Sequence, residues 1–190
     1  MLEFMRHMMV GVACLTLVTS ASGMVHAQQP KLEMHRVGVS ADDGSGWHLA
    51  ASTKGSFAIR MPIPFNDFTT HDPNTGEMSH VVGAKSSEGI KFAAIESPVT
   101  NKTPADLGAI AESFSSNPAN KVSDLSRSTT DGTDILRFSV TSTRSTAHFK
   151  YMRTKTALYL LSIESPIAHG NLASAAKDQF FESFKLKSKP

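Results

Sequence analysis

Two histidines, His71 and His80, flank a turn-forming stretch that also carries Asp72 and Glu77. Imidazole and carboxylate together form the donor set of zinc and copper sites, so a closed hairpin could gather these four side chains around a metal. Their spacing along a polar loop matches no recognised ligand pattern, and Asp72-Pro73-Asn74-Thr75-Gly76 is already explained as a turn. Read as Asp72-x-Asn74-x-Gly76, the loop resembles the start of a calcium loop but lacks the later ligands and the glutamate at the twelfth position. Asp42 and Asp43 are adjacent carboxylates inside a Gly/Ser segment, the composition of a solvated turn rather than of an acid pair.

Nucleophilic and phosphate chemistry have no better foothold. The chain is rich in serine but holds no Gly-x-Ser-x-Gly elbow, and neither glycine-rich phosphate motif occurs. Asn101-Lys102-Thr103 is a glycosylation sequon, yet Thr103 is explained as a helix cap without any sugar. Tyr159 and Trp47 are amphipathic enough to line a ligand cleft, although a half-buried core place suits them better. The residues thus assign no catalytic, cofactor-binding or metal-ligating position.

The elements that would position any site are easier to read. Leu136, Phe138 and Val140 fall on every second position, and so do Ala147, Phe149 and Tyr151, the period of half-buried strands. Ala157 to Ile163 is almost continuously apolar, as a central strand covered on both faces would be, and Pro166 ends it. Asn171 is the expected cap of a terminal helix whose apolar face comprises Leu172, Ala173, Ala176, Phe180, Phe181 and Phe184. Earlier strands are expected at Phe57–Met61, stopped by Pro62, at Ser79–Lys85 and at Ile90–Glu96, with Phe65 and Phe68 tucked beneath a loop. Thr103 as cap, Pro104 at the first position and Asp106 at the third open a helix with Leu107, Ile110, Ala111 and Phe114 on one face. A polar strand at Val122–Ser128 follows, and Asp131-Gly132 turns it into the strand from Thr133.

Arg6 and His7 precede an apolar run from Met8 to Thr19 that is too short for a bilayer, and Val25-His26-Ala27 forms a cleavage site before Gln28. Residues 1–27 therefore read as a signal peptide. The alternatives are an uncleaved anchor, diluted by Gly11, Thr16, Thr19, Ser20 and Ser22, and lipidation at Cys14, which lacks the usual leucine upstream. The sole cysteine leaves with the signal, so the mature chain has neither disulfide nor thiolate ligand and rests on its apolar core. The formal net charge of +2 survives cleavage, since Glu3 and Arg6 cancel. The scattered lysines and arginines form no basic stripe, so nucleic acid is not an expected partner, and no transmembrane segment is expected in the mature form. The expected organisation is a flexible leader over 28–46 with at most an edge strand at Met34–Val39, one α+β domain over 47–186, and a short tail over 187–190.

Hairpin order with one helix midway and one at the end argues for an antiparallel sheet of six to seven strands covered by helices. Gly55-Ser56-Phe57-Ala58-Ile59-Arg60-Met61-Pro62, the pair Leu158-Tyr159, and Phe180-Phe181-Glu182-Ser183-Phe184-Lys185 resemble the PsbP-like family and its bacterial exported relatives. The resemblance spans about Trp47 to Leu186 and implies an α/β/α sandwich with a non-enzymatic, protein-binding role, but it carries no partner and no binding residue onto this chain. The expectation is an exported, non-catalytic module for an unknown protein or envelope component. The alternative is a small hydrolase or ligand carrier whose pocket is built from dispersed residues.

Overall fold

The computed structural model describes residues 31–187. The expected signal peptide and most of the expected tail lie outside them. Eleven strands and two α-helices follow in the order β1 (Lys31–Val39), β2 (His48–Ala51), β3 (Phe57–Met61), β4 (Phe65–His71), β5 (Met78–Lys85), β6 (Lys91–Pro98), α1 (Gly108–Ser115), β7 (Lys121–Thr130), β8 (Thr133–Thr141), β9 (Ser145–Arg153), β10 (Ala157–Pro166), α2 (Gly170–Glu182) and β11 (Lys185–Leu186), a 3₁₀ turn at Ile167–His169 leading into α2. Eight strands form one antiparallel sheet in the order β1-β4-β5-β6-β10-β9-β8-β7, and β11-β3-β2 form a second.

This corrects the expected fold class. Among the described residues strand accounts for 52% and helix for 15%, so this part of the chain is mostly β rather than an α+β sandwich covered by helices. The sheet has eight strands where six to seven were expected, and β3 is not among them. The alternation of Phe57, Ile59 and Met61 identifies a strand and its buried side, but equally suits a strand in the main sheet or one lying across it. Here all three residues join the core on one face of the main sheet, alongside Phe92, Leu161, Ile163, Phe180 and Phe181. The small sheet therefore does much of the covering that was assigned to helices.

β10 occupies the centre between β6 and β9, and its first seven residues are all buried, as its continuous apolar run requires. Alternation sends Tyr159, Leu161 and Ile163 to the core beneath α2 and the small sheet, and Leu158 and Leu160 to the core beneath α1. On the α1 face, Phe114 sits 5.4 Å from Phe138 and 5.1 Å from Phe149, ring centre to ring centre, so the helix is anchored by aromatic packing. The β7–β8 turn is closed by Asp131 and Gly132 at φ of 49° and 71°, left-handed values that suit the twist of a two-residue hairpin.

Several local expectations shift. Lys31–Val39 is a nine-residue strand paired with β4, so this part of the expected leader belongs to the main sheet. Phe65 and Phe68 lie in β4 on opposite faces instead of beneath a loop. α1 starts at Gly108, later than the Thr103–Pro104 signal suggests: Thr103 Oγ1 accepts from the Thr100 N–H, the cap position Leu107 makes no side-chain capping bond, and Asp106 Oδ1 accepts from the Gly108 N–H at 2.7 Å just before the first turn. Asn171 is likewise inside α2, whose cap position His169 makes no side-chain capping bond. Leu172 points to solvent at 56% exposure because α2 rests on β9 and β10 through Ala173, Phe180 and Phe181.

Phe180 is fully buried and meets Phe92 edge-on at 5.5 Å. Phe180→Ala is expected to cost about 3–5 kcal/mol, through lost transfer energy and the cavity left behind. Leu172→Ala is expected to change stability by less than about 0.5 kcal/mol. Urea unfolding of both variants measures the contrast, and equal losses would show that α2 docks on another face.

Candidate functional site

The polar residues buried on the α2 face form three hydrogen-bonded groups. Asp67 on β4 is fully buried; its carboxylate accepts from Arg36 Nε at 3.1 Å and Nη2 at 2.8 Å, from the Thr53 N–H at 2.7 Å and from the Thr53 hydroxyl at 2.6 Å. Burial pushes this carboxyl up, but the Thr53 and Arg36 contacts outweigh it and hold it below its ordinary value. Two strands away, Glu96 accepts from the Ser56 N–H at 2.5 Å and the Ser56 hydroxyl at 2.9 Å, and that hydroxyl also meets Tyr159 OH at 2.8 Å. Both carboxylates thereby grip the β2–β3 loop, and Lys187 Nζ closes it from outside by donating to the carbonyls of Ser52 and Gly55.

The second group is a chain through Thr69, whose Oγ1 lies 2.8 Å from His35 Nε2 and 3.1 Å from His80 Nδ1. The third is Ser139 Oγ, 2.8 Å from His148 Nδ1, with His148 Nε2 3.2 Å from Ser174 Oγ on α2. Burial, ahead of neighbouring charges, depresses His80 and His148 and favours their neutral forms. Lys150 is depressed by burial too, and its Nζ donates to the Phe181 carbonyl at 3.0 Å at the end of α2.

The residues weighed as a metal set do not converge. His80 turns to Thr69, His71 Nε2 lies 3.6 Å from Glu33 Oε2, and Asp72 Oδ1 accepts from the Asn74 N–H at 2.7 Å within the turn. Among the described residues no group of three or more His, Cys, Asp or Glu is placed to hold a metal ion. Asp42 Oδ1 accepts from the Gly44 N–H and Asp43 Oδ1 from the Ser45 N–H within the turn, while Asp43 Oδ2 pairs with Arg60 Nε of β3 at 2.7 Å. Tyr159 and Trp47 both serve the core of the α2 face.

A cleft of about 420 Å³ opens elsewhere, between residues 105–107 leading into α1 and the β7–β8 hairpin. Leu107 and Leu136 supply its apolar side, Ile135 borders it although its side chain packs toward the α2-face core, and its polar side carries Asp106, Arg127, Thr129 and Asp134. Arg127 Nη1 reaches Asp106 at 3.2 Å, and the guanidinium lies so close over Gly108 that a Cβ there would displace it. Asp134 accepts from the Thr129 hydroxyl at 2.9 Å, while its cross-strand neighbour Arg153 donates to the Ala105 carbonyl at 2.6 Å. Asp106 is thus ion-paired, whereas Asp134 accepts from a hydroxyl and its cross-strand Arg153 is turned to the Ala105 carbonyl. No sequence signal marked this cleft, because its walls come from three separate segments and none carries a motif.

No family model and no curated protein matches this chain. The segments that resemble the PsbP-like family fall on β3, β10 and the end of α2, where Phe57, Ile59, Leu158 and Phe180 are core residues. No helix among the described residues is long and apolar enough to cross a membrane.

The depressed imidazoles set a sign for the pH dependence. Above the ordinary histidine value of 6.5 both are neutral whether folded or unfolded; below it the unfolded chain takes up protons that the folded chain refuses, so stability falls as pH drops. Asp67 adds a further loss at lower pH, since its contribution is present above its ordinary value of 3.8 and disappears as pH falls through its lowered folded value. His148→Gln is expected to flatten the fall between about pH 6.5 and 5, measured by urea unfolding across that range. An unchanged slope would show that His148 titrates alike in both states.

Proposed function

We propose that this chain is an exported module that binds a protein or envelope component and performs no catalysis. The observation that carries it is a contrast of place. The histidines with depressed pKa, His80 and His148, and the carboxylates of Asp67 and Glu96 are committed to internal hydrogen bonds on the α2 face, whereas the cleft, which contains no histidine, lies on the other face, against the terminal strand of the main sheet. Export rests on the segment Arg6 to Ala27, and the family resemblance supports a non-enzymatic role.

One arrangement favours the second reading, a small hydrolase. Ser174 is exposed and within hydrogen-bond distance of a neutral imidazole that is held on its other side by Ser139. A nucleophile and base in contact with an orienting group is the skeleton of serine catalysis. The third member here is a hydroxyl rather than a carboxylate, and Ser174 lies within α2 instead of on a strand-to-helix elbow.

Two measurements test these readings. Intact mass of the protein recovered from the envelope fraction should begin at Gln28; a mass that includes residues 1–27, or acyl chains on Cys14, would overturn the export reading. A fluorophosphonate probe should leave Ser174 unlabelled, whereas labelling that disappears in His148→Ala would make the hydrolase the better account.

A further inference from the structure

We propose that β7 is a strand-addition site, and that the cleft beside it takes a lysine or arginine side chain of the extended peptide that docks there. This rests on the reading of the chain as a protein-binding module and names its surface. The two ends of the main sheet are β1 and β7. β1 is a poor template: its register breaks between Met34 and Arg36 and again between Arg36 and Val39, Gly38 adopts a φ of 61°, and Arg36 turns inward to Asp67. Such bulges are how edge strands avoid stray pairing. β7 is bulged only near its start, where Asp124 has a φ of 54°, and from Ser126 to Thr130 it runs in regular register with β8. That stretch is exposed throughout. A strand added along it would gain main-chain hydrogen bonds, with alternate side chains directed to the cleft face.

The cleft sets the chemistry of the incoming side chain. Arg127 and Thr129, on the same face of β7, form its wall, and Asp134 and Leu136 lie opposite them on β8. Its volume is in the range of small-ligand sites, roughly 300–1,000 Å³. Leu107 and Leu136 suit an aliphatic stem, and Asp134, which accepts only from the Thr129 hydroxyl while its cross-strand neighbour Arg153 is turned to the Ala105 carbonyl, suits a positive head at the end of that stem. Lysine and arginine combine these two features in one side chain. A glutamate would meet two carboxylates, while the two arginines beside them are already engaged, Arg127 with Asp106 and Arg153 with the Ala105 carbonyl.

The test uses the full mature chain and a blocked peptide, acetyl-Thr-Val-Lys-Val-Thr-amide, with a Glu-for-Lys version and a backbone N-methylated version as controls. Amide resonances of Ser126 to Thr130 should shift saturably with the lysine peptide, the Glu version should bind at least about tenfold more weakly, and N-methylation should abolish binding. Asp134→Asn should remove most of the preference for lysine while leaving the circular dichroism spectrum unchanged. The proposal is overturned if no saturable shift occurs at millimolar peptide, if the lysine and glutamate peptides bind alike, or if light scattering shows β7 occupied by a second copy of this chain. Capture of a partner by wild type that persists undiminished in Asp134→Asn would sink this site and keep the module reading. A chain that captures no partner while still binding the lysine peptide would sink the module reading instead.

Discussion

The buried carboxylate of Asp67 is the joint on which the two sheets depend. A charge with no access to water is tolerable only if hydrogen bonds and an opposite charge replace its hydration. Asp67 obtains these from Arg36 on β1 and from Thr53 in the β2–β3 loop. Satisfying one carboxylate therefore draws an edge strand and the small sheet onto β4 together. Ser52 adds its hydroxyl at 3.4 Å, the Arg36 guanidinium lies 5.5 Å from the centre of the Phe65 ring, and Arg36 also donates to the Ala51 carbonyl. Removing any one partner would leave a buried charge short of bonds, so the contacts stand or fall as a group.

Around that joint the fold answers a problem of covering. An eight-stranded sheet whose central strand is apolar on both sides must hide both faces from water. The chain meets this unevenly: α2 and the small sheet share one face, and the short α1 with its leading loop serves the other, resting on β7 and β8. An eight-residue helix covers little area, and the cleft lies at its start, where the lead into α1 departs from the β7–β8 hairpin.

The internal polar groups and the cleft differ in what they can offer a partner. A buried imidazole bonded on both nitrogens, such as His148, can act on another molecule only by breaking bonds that hold α2 in place. In the cleft, by contrast, the Arg127–Asp106 ion pair and the Thr129–Asp134 hydrogen bond are surface contacts worth little in water, so a ligand can replace them at small cost. Among the described residues the outer edge of β7 has no strand paired to it, and Ser126 to Thr130 are exposed. Recognition by backbone and one side chain asks no rearrangement of the core.

Much of this was legible in the residues. Alternation placed Leu136, Phe138, Phe149 and Tyr151 in the core, the continuous run made β10 central, and Asp131-Gly132 named its hairpin, because burial pattern and turn chemistry are local properties of the chain. The same logic found Leu107, Ile110, Ala111 and Phe114 while misplacing the start of α1, since Thr103 caps the Thr100 N–H of the preceding turn instead of the helix and Asp106, expected inside the first turn, precedes it. Tertiary structure alone decided the rest. Periodicity says which side of β3 is buried but not against what, so its departure into a second sheet depended on Asp67 and Glu96 gripping the loop before it. Leu172 was drawn onto the buried face by spacing and turned out by the way α2 lies on β9 and β10. The cleft, too, belongs to the fold, because Leu107, Arg127 and Asp134 acquire a shared purpose only when helix lead and hairpin are brought side by side.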